Sequence, residues 1–204
     1  MLKKILLSSA FLFLANASLQ AMSANYALDT AHSEVEFKVR HLMISNVKGL
    51  FKEFKGVGAG TFSKDQAAID SIHMEINPAS IFTNNTDRDD HLKGKDFFDV
   101  ATYKTMTFDS TKVEYKGKFP SKIHGTLTMH GVSKPVTLDV EWGGYMVDDK
   151  KVEKVAFEAS GKLSRKDFGL TYNKVLETGG LAISDEVQFT VRVEANSAPK
   201  TAAK

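Results

Sequence analysis

The stretch Ser33–His41, "SEVEFKVRH", alternates between apolar and charged residues, and this alternation decides the fold class. Val35, Phe37 and Val39 fall on one side, whereas the charged residues between them fall on the other. Because successive side chains of a β-strand point to opposite faces, the stretch predicts a strand with one apolar and one solvated face. The apolar face meets either a packed interior or a cavity shaped for an apolar ligand.

The same two-residue alternation recurs along the chain and predicts further antiparallel strands with one buried face each. Turn signals at Gly131–Pro135, Asp148–Lys150 and Gly179–Gly180 separate several of these segments. The glycine-rich segment Gly49–Phe62 predicts one more strand that is sharply bent or bulged. The alternating segments are Ile72–Ile76, Met106–Phe108, Ile123–Met129, Val136–Trp142, Val155–Ala159 and Val187–Val193.

These segments predict an all-β domain of about eight antiparallel strands. A closed barrel hides the apolar faces together and removes the sheet edges, but a two-sheet sandwich satisfies the same alternation. One region breaks the pattern, because Thr86 followed by Asp89 has a capping-box layout. It predicts a short helix over Asp87–Leu92 with Thr86 as its N-cap, and a second short helix is considered over Asp96–Val100.

The N-terminus has the features of a secretory signal peptide. Lys3 and Lys4 precede the apolar run Ile5–Leu14, which is too short for a membrane span of about 20 residues. We assign residues 1–21 to the signal peptide, with cleavage between positions 17 and 24, and predict no stable membrane span. The prediction is therefore a periplasmic protein with one barrel domain over residues 25–196 and a flexible tail over 197–204.

Composition excludes several classes of function. Removing the predicted signal peptide removes two of the 27 basic residues and none of the 25 acidic ones, so the remainder carries no formal net charge. Such a chain has no bulk electrostatic attraction for nucleic acid. The chain has no cysteine, and therefore neither disulfide bonds nor a thiol nucleophile.

No motif points to catalysis. Nucleophile elbows, phosphate-binding loops and dinucleotide fingerprints are absent from the sequence. His91 lies near Asp87, Asp89 and Asp90, which a solvated acidic helix start explains better than a metal site. His41 continues the inward phase of the opening strand, so it is either a satisfied buried histidine or a polar group at a cavity mouth. We predict no catalytic residue and no metal, and the residues favour a binding module over an enzyme.

The sequence resembles the YceI-like family of exported proteins, and several motifs carry the resemblance in order along the chain. They are "YALDTAHSEVEFKVRHLMISNVKGLFKEFKG" (Tyr26–Gly56), "TNNTDRDDHLKGKDFFDVATYKTMTF" (Thr83–Phe108), "GTLTMHGVSKPVTLDV" (Gly125–Val140) and "SRKDFGL" (Ser164–Leu170). The resemblance implies an extended lipocalin-like barrel with a long internal pocket. It further implies periplasmic binding of polyisoprenoid chains or related amphiphiles, such as a quinone or prenyl carrier, dimers in some members, and no established catalysis.

The resemblance and the strand phases together give a set of candidate site residues. His41, Arg88 and Arg165 are candidates for contact with a lipid head group, although pairing with nearby aspartates is the favoured alternative for Arg88. Apart from the expected isoprenoid or quinone-type lipid, no cofactor is predicted. The predicted pocket lining is Val35, Phe37, Val39, His41, Met74, Met106, Phe108, Leu127, Met129, Phe157 and Phe189.

Three hypotheses about function follow. The first is a periplasmic carrier or binding protein that holds an isoprenoid lipid, as a monomer or a homodimer. The second is an enzyme or stress-response protein acting on a lipid or quinone, which would need a polar group with a perturbed pKa deep in the cavity; His41 is its one candidate. The third is a filled structural barrel, which predicts no cavity among Phe37, Met74, Leu127, Phe157 and Phe189.

Overall fold

The computed structural model describes residues 23–175 and 182–198. Within these ranges the chain forms eleven strands and one α-helix, α1 (Thr86–Lys93). Short 3₁₀ helices at Pro78–Ser80 and Arg165–Phe168 complete the regular structure. The strands are β1 (Ala24–Leu28), β2 (Glu34–His41), β3 (Ser45–Phe51), β4 (Phe54–Phe62), β5 (Ala67–Ile76), β6 (Ile81–Phe82), β7 (Met106–Lys116), β8 (Phe119–Met129), β9 (Val132–Val147), β10 (Glu153–Ser164) and β11 (Ile183–Ser197).

Eight of these strands close into an antiparallel barrel, which confirms the barrel prediction over the sandwich. The order around the barrel is β1-β4-β5-β7-β8-β9-β10-β11, and β11 returns to β1. The short strand β1 completes the ring, because Tyr26 pairs with Gly58 on one side and with Ser197 on the other. Closure leaves no free edge in this ring and gives every strand one inward face.

The remaining strands extend the wall of one half of the barrel. β11 carries two partners end to end on the same edge, since its residues 195–197 pair with β1 and its residues 183–192 pair with β2. β3 then pairs with β2, and β6 pairs with β3. The inward phase of β2 agrees with the sequence, because Val35, Phe37 and Val39 lie directly opposite the apolar inward residues of β11.

The glycine-rich segment differs from its prediction. It forms two strands, β3 and β4, and the chain turns at Lys52 and Glu53 between them. Backbone hydrogen bonds from the Lys52 amide to Ser80 (3.2 Å) and from the Asn77 amide to Glu53 (2.9 Å) hold this turn. A bulge does occur, but within β4, where the register against β5 shifts.

Helix α1 forms where predicted, with a different cap. The N-cap is Asn85, whose side-chain oxygen accepts a hydrogen bond from the Arg88 amide at 2.9 Å. Thr86 is the first helical residue, so its predicted role as N-cap is wrong. Asp89 does not complete a capping box, because its carboxylate turns back to Thr83 and accepts bonds from the amide (2.9 Å) and the hydroxyl (2.5 Å).

The second helix considered over Asp96–Val100 does not form. The amides of Phe98 and Val100 donate to the carbonyls of Leu92 (3.0 Å) and Lys93 (3.1 Å). These bonds satisfy the free carbonyls at the end of α1, so the segment folds back as a chain of turns rather than starting a helix of its own.

At the C-terminal end the strand β11 runs to Ser197, one residue past the predicted domain boundary. Ser197 is buried, and its hydroxyl accepts a hydrogen bond from the Glu153 amide at 3.0 Å. The predicted signal peptide, the turn at Gly179–Gly180 and residues 199–204 of the predicted tail lie outside the described residues. Among the helices of the described ranges, none has the length and apolar character needed to cross a membrane.

Candidate functional site

The barrel encloses a cavity of about 430 Å³ in the half that β2 and β3 extend. This volume lies within the range of about 300–1,000 Å³ that is usual for ligand sites. Strands β2, β3, β5 and β7–β11 form its wall, α1 lies against it, and most of the lining side chains are apolar. The cavity is therefore suited to an apolar ligand rather than to a charged metabolite.

All of the residues that sequence reasoning selected for the pocket lie in the wall of this cavity. Lining the cavity does not by itself establish contact with a ligand, so that contact stays a prediction. The lining includes Val35, Phe37, Val39, His41, Met74, Met106, Phe108, Leu127, Met129, Phe157 and Phe189, together with Arg88 and Arg165.

Sequence reasoning missed two kinds of lining residue. Some share the inward phase of strands that were recognised, for example Val136 and Val191, and the alternation itself could have found them. Others lie between the strands, where alternation gives no information. Phe97, Phe98 and Tyr172 belong to this second group.

Three of the lining aromatic rings lie over a glycine of a neighbouring strand, namely Phe37, Phe108 and Phe189. Phe37 pairs with Gly49 across β2 and β3, and a Cβ at Gly49 would lie 2.5 Å from the ring. Gly125 on β8 lies diagonally across from Phe108, which pairs with Leu127, and a Cβ at Gly125 would lie 2.3 Å from the Phe108 ring. Since any larger residue would push these rings inward, the glycines keep the cavity open.

The cavity reaches the surface at one end, which we call the mouth. His41, His91, Tyr172 and Lys174 line the cavity there and are all at least partly exposed. The Nε2–H of His91 donates a hydrogen bond to the Asp96 carboxylate (3.1 Å), and the ring packs edge-on against Tyr172. His41 is half-buried, and its imidazole makes no hydrogen bond within the described residues. Its role as a polar group that contacts a ligand stays a prediction.

Arg88 lies on α1 beside the mouth. Its Nε donates to the Thr83 hydroxyl and one terminal nitrogen donates to the Thr83 carbonyl, both at 2.8 Å. The expected alternative, pairing with nearby aspartates, is not observed among the described residues. The other terminal nitrogen has no partner in the described ranges, so Arg88 retains donors for an anionic group in the cavity.

Arg165 is only 4% exposed and is already occupied by the protein. Its guanidinium donates to the carbonyls of Leu170 (2.5 Å), Tyr172 (2.8 Å) and Ser184 (3.0 Å) and to the Asp185 carboxylate (3.3 Å). Burial lowers the pKa of Arg165, and the neighbouring Asp185 opposes this effect. Arg165 therefore anchors the segment after β10 and has little donor capacity left for a head group.

A second, smaller cavity of about 70 Å³ lies beyond the deep end of the first. Ile72, Met74, Phe157 and Val193 belong to the walls of both cavities and so form the partition between them. Methionine is flexible and fills irregular gaps, so this partition contains at least one side chain that adapts readily.

The described residues offer one grouping with metal-ligand spacing, and it lies away from the cavity. Asp29, His32 and Glu194 place one ligand atom each within 4.8 Å of one another. Asp29 already accepts a bond from Asn196, and Glu194 pairs with Lys154 at 3.1 Å. The acidic residues around His91 are not brought together in this way among the described residues.

The geometry also bears on the alternatives left open by the sequence. A cavity persists among Phe37, Met74, Leu127, Phe157 and Phe189, which contradicts the filled structural barrel. His41 lies at the mouth, whereas the enzyme hypothesis required a polar group deep inside. The deep end is lined by apolar side chains of β5, β10 and β11.

A closed antiparallel barrel with an apolar cavity open at one end defines a lipocalin-like class of binding protein. The chain belongs to the YceI-like family, whose domain model matches residues 26–195. It is 37% identical over 195 residues to the protein YceI of Escherichia coli O6:H1, covering 95% of this chain and 97% of that one. The family is a binding-protein fold that is not known as enzymatic.

Solved structures agree with this assignment. The YceI protein of Campylobacter jejuni is 39% identical and superposes with a TM-score of 0.67, covering 84% of this chain and 96% of that chain. A domain from Saccharophagus degradans, described as polyisoprenoid binding, superposes with a TM-score of 0.57 over 85% of this chain and 98% of its own. Its identity of 16% means that this second likeness shows the fold alone.

Proposed function

We propose that the protein binds the apolar chain of an isoprenoid or a similar amphiphilic lipid in the barrel cavity and acts as a carrier or binding protein. The observation that carries the proposal is the cavity of about 430 Å³ with an apolar wall and polar groups at its mouth. The same fold in a domain described as polyisoprenoid binding is consistent with this proposal.

The physical basis is the removal of hydrocarbon from water. Burying each CH₂ group contributes about 0.8 kcal/mol, so even a short prenyl tail gains several kcal/mol on entering the cavity. A prenyl chain is flexible and irregular in outline, and methionine side chains adapt to such ligands. Met74, Met106 and Met129 all lie in the wall.

The head group is expected at the mouth, where desolvation is least costly. Within the described part of the chain, Arg88 keeps unused donors for a phosphate or a carbonyl oxygen, and the imidazole of His41, which makes no hydrogen bond there, offers either a donor or an acceptor. Arg165 shapes the mouth by holding the carbonyls of Leu170 and Tyr172. This assignment ranks Arg88 and His41 above Arg165 as head-group contacts.

The cellular setting is part of the proposal. A signal peptide over residues 1–21 would deliver the protein to the periplasm, where the chain needs no disulfide bond and no cofactor other than its lipid. The functional unit would be a monomer or a homodimer.

The test is to fill the cavity with a larger side chain. Val191 lies in the wall, opposite Val35 on one side and the small residue Ala159 on the other. Val191→Trp is expected to abolish binding of geranylgeranyl diphosphate, measured by displacement of a fluorescent alkyl probe. Thr190→Trp makes the neighbouring change on the outward phase of β11 and is expected to bind as the parent does. Equal binding by the two variants would contradict the proposal.

The enzyme alternative has its own test. His41→Ala is expected to change the affinity for a lipid with a polar head group, because His41 lies at the mouth. A lipid or quinone that the parent protein converts to product, and that His41→Ala no longer converts, would replace the carrier proposal by the enzyme hypothesis.

A further inference from the structure

We propose that the rim of the mouth docks on the surface of a lipid bilayer through the tip of the β2–β3 hairpin, so that the ligand moves between bilayer and cavity without crossing water. The movement of a ligand between bilayer and cavity rests on the proposed function, whereas docking itself rests on the rim alone. The tip consists of Leu42, Met43 and Ile44, and Val175 lies beside it.

These four residues form an exposed apolar cluster at one end of the barrel. Ile44 is 83% exposed, Val175 is 73% exposed and Met43 is 54% exposed. Backbone hydrogen bonds connect them, because the Leu42 amide donates to the Ala182 carbonyl (2.8 Å) and the Ala182 amide donates to the Lys174 carbonyl (3.0 Å). Exposure of three consecutive large apolar side chains to water at the tip of a turn is unfavourable and indicates an interaction surface.

The backbone at this tip is strained. Leu42 has φ of 50° and Met43 has φ of 60°, the left-handed region that turns normally fill with glycine, asparagine or aspartate. A turn selected only for stability would use glycine, asparagine or aspartate at these two positions. Bulky apolar side chains in this conformation are expected where their exposure serves a function.

The tip is continuous with the mouth of the cavity. His41, the last residue of β2, lines the cavity and directly precedes the tip. Ala182, whose carbonyl accepts the Leu42 amide, lines it as well, and so does Lys174, whose carbonyl accepts the Ala182 amide. A surface that covers the tip would therefore also face the opening through which a ligand enters.

Two cations flank the apolar tip. The Arg40 Nε donates to the Met43 carbonyl at 2.8 Å, which both braces the turn and holds the guanidinium next to the apolar residues. Lys174 is exposed on the other side. This arrangement matches the bilayer interface, where apolar side chains enter the acyl region and Arg and Lys contact the lipid phosphates.

A bilayer suits this rim better than a second copy of the chain. Stable protein interfaces bury about 800 Å² per partner on a broad, complementary surface. The tip is a narrow projection of three residues, which can insert between lipids but offers little area to a flat partner.

The experiment is vesicle co-sedimentation with matched variants. The protein is expressed in full and purified as the cell processes it, with the intact mass recorded, and is mixed with vesicles of phosphatidylethanolamine and phosphatidylglycerol. Ile44→Asp and Met43→Asp are expected to weaken partitioning about tenfold, as the lost burial of one large apolar side chain implies. Met146→Asp is the control, since Met146 is 53% exposed and lies at the opposite end of the barrel.

Each outcome decides the proposal. Loss of sedimentation in the tip variants with retention in Met146→Asp supports docking, and equal sedimentation of all variants overturns it. The parent protein could instead fail to bind vesicles and form a dimer in sedimentation velocity. If only the tip variants abolish that dimer, the rim serves self-association and the docking proposal is overturned. Native mass spectrometry of Ile44→Asp separates the two proposals, because a retained lipid adduct shows that the cavity works independently of docking.

Discussion

At the scale of single residues, the absence of a side chain keeps the cavity open. Phe37 and Phe108 both line the cavity, and each ring occupies the space over a glycine that a Cβ would otherwise fill. Sequence reasoning selected both phenylalanines from their phase but not the glycines that their rings cover, because the register that brings each ring over its glycine is a property of the folded sheet.

Gly49→Ala is expected to close part of the cavity without placing a large group in it. A Cβ at this position would lie within 2.8 Å of the Phe37 ring and the Thr83 methyl group, so the ring must rotate towards the lumen. Overpacking of this kind costs about 1–3 kcal/mol of stability, measured by urea unfolding, and lipid binding should fall in parallel.

The double variant Gly49→Ala with Phe37→Ala is the control for this prediction. It removes the ring that the new methyl group displaces, so lipid binding should return even though stability does not. Binding that stays low in the double variant would show that the ring does not obstruct the cavity.

Arg165→Met is expected to lower the free energy of unfolding by about 3 kcal/mol, since it removes the donor of the buried Leu170 carbonyl and of the partly buried Tyr172 and Ser184 carbonyls. Lys166→Met is the matched control. Lys166 is exposed and contacts Asp185 at 2.9 Å, so its loss should cost less than about 0.5 kcal/mol. Chemical denaturation measures both, and equal values would contradict the anchoring role of Arg165.

At the scale of secondary-structure elements, alternation predicts a strand well wherever one face is buried. β2, β5, β8 and β11 all follow it. Alternation fails in the segment that holds β3 and β4. A glycine has no side chain to show which face of a strand it occupies, and a two-residue turn between strands looks like a bend within one strand. The capping pattern predicts the position of α1, but the choice of N-cap between the adjacent residues Asn85 and Thr86 depends on backbone geometry.

The cap assignment can be tested with two neighbouring substitutions. Asn85→Ala removes the side chain that accepts the Arg88 amide, so it should cost about 1 kcal/mol of stability. Thr86→Ala lies one residue further, inside the helix, and should change stability by less than about 0.5 kcal/mol. Urea unfolding of the two variants is the measurement, and the reverse order of effects would restore Thr86 as the cap.

The pairing of β5 with β7 predicts a pH dependence of stability. His73 lies opposite Asp109, and the hydrogen bond to that carboxylate (2.7 Å) raises the pKa of His73 above its usual value. The resulting stabilisation is fully present below about pH 6.5, the unfolded value, and is lost as the pH rises through the raised folded value.

The stability difference between the parent and His73→Gln should therefore be larger at about pH 5.5 than at about pH 8.5. Unfolding in urea at both pH values measures it. Asp109→Asn removes the partner, so a second His73→Gln comparison made in that background should depend much less on pH. An equal difference at both pH values in the parent background would show that the pair contributes nothing.

At the scale of the whole molecule, closure converts a set of amphipathic strands into a container. The sequence could not distinguish a barrel from a sandwich, because both hide one face of every strand. The decision rests on β1, whose five residues join β4 to β11. The lining residues Phe97, Phe98 and Tyr172, from the segments after α1 and β10, were likewise out of reach, because connecting segments lack the periodicity that marks a face.

The central claim is that the cavity holds a lipid, and the most direct test is native mass spectrometry of protein purified from its own cells, followed by organic extraction. The account predicts a discrete adduct that releases a prenyl chain or a similar amphiphile. A clean apo mass that stays unchanged after incubation with prenyl lipids would contradict it.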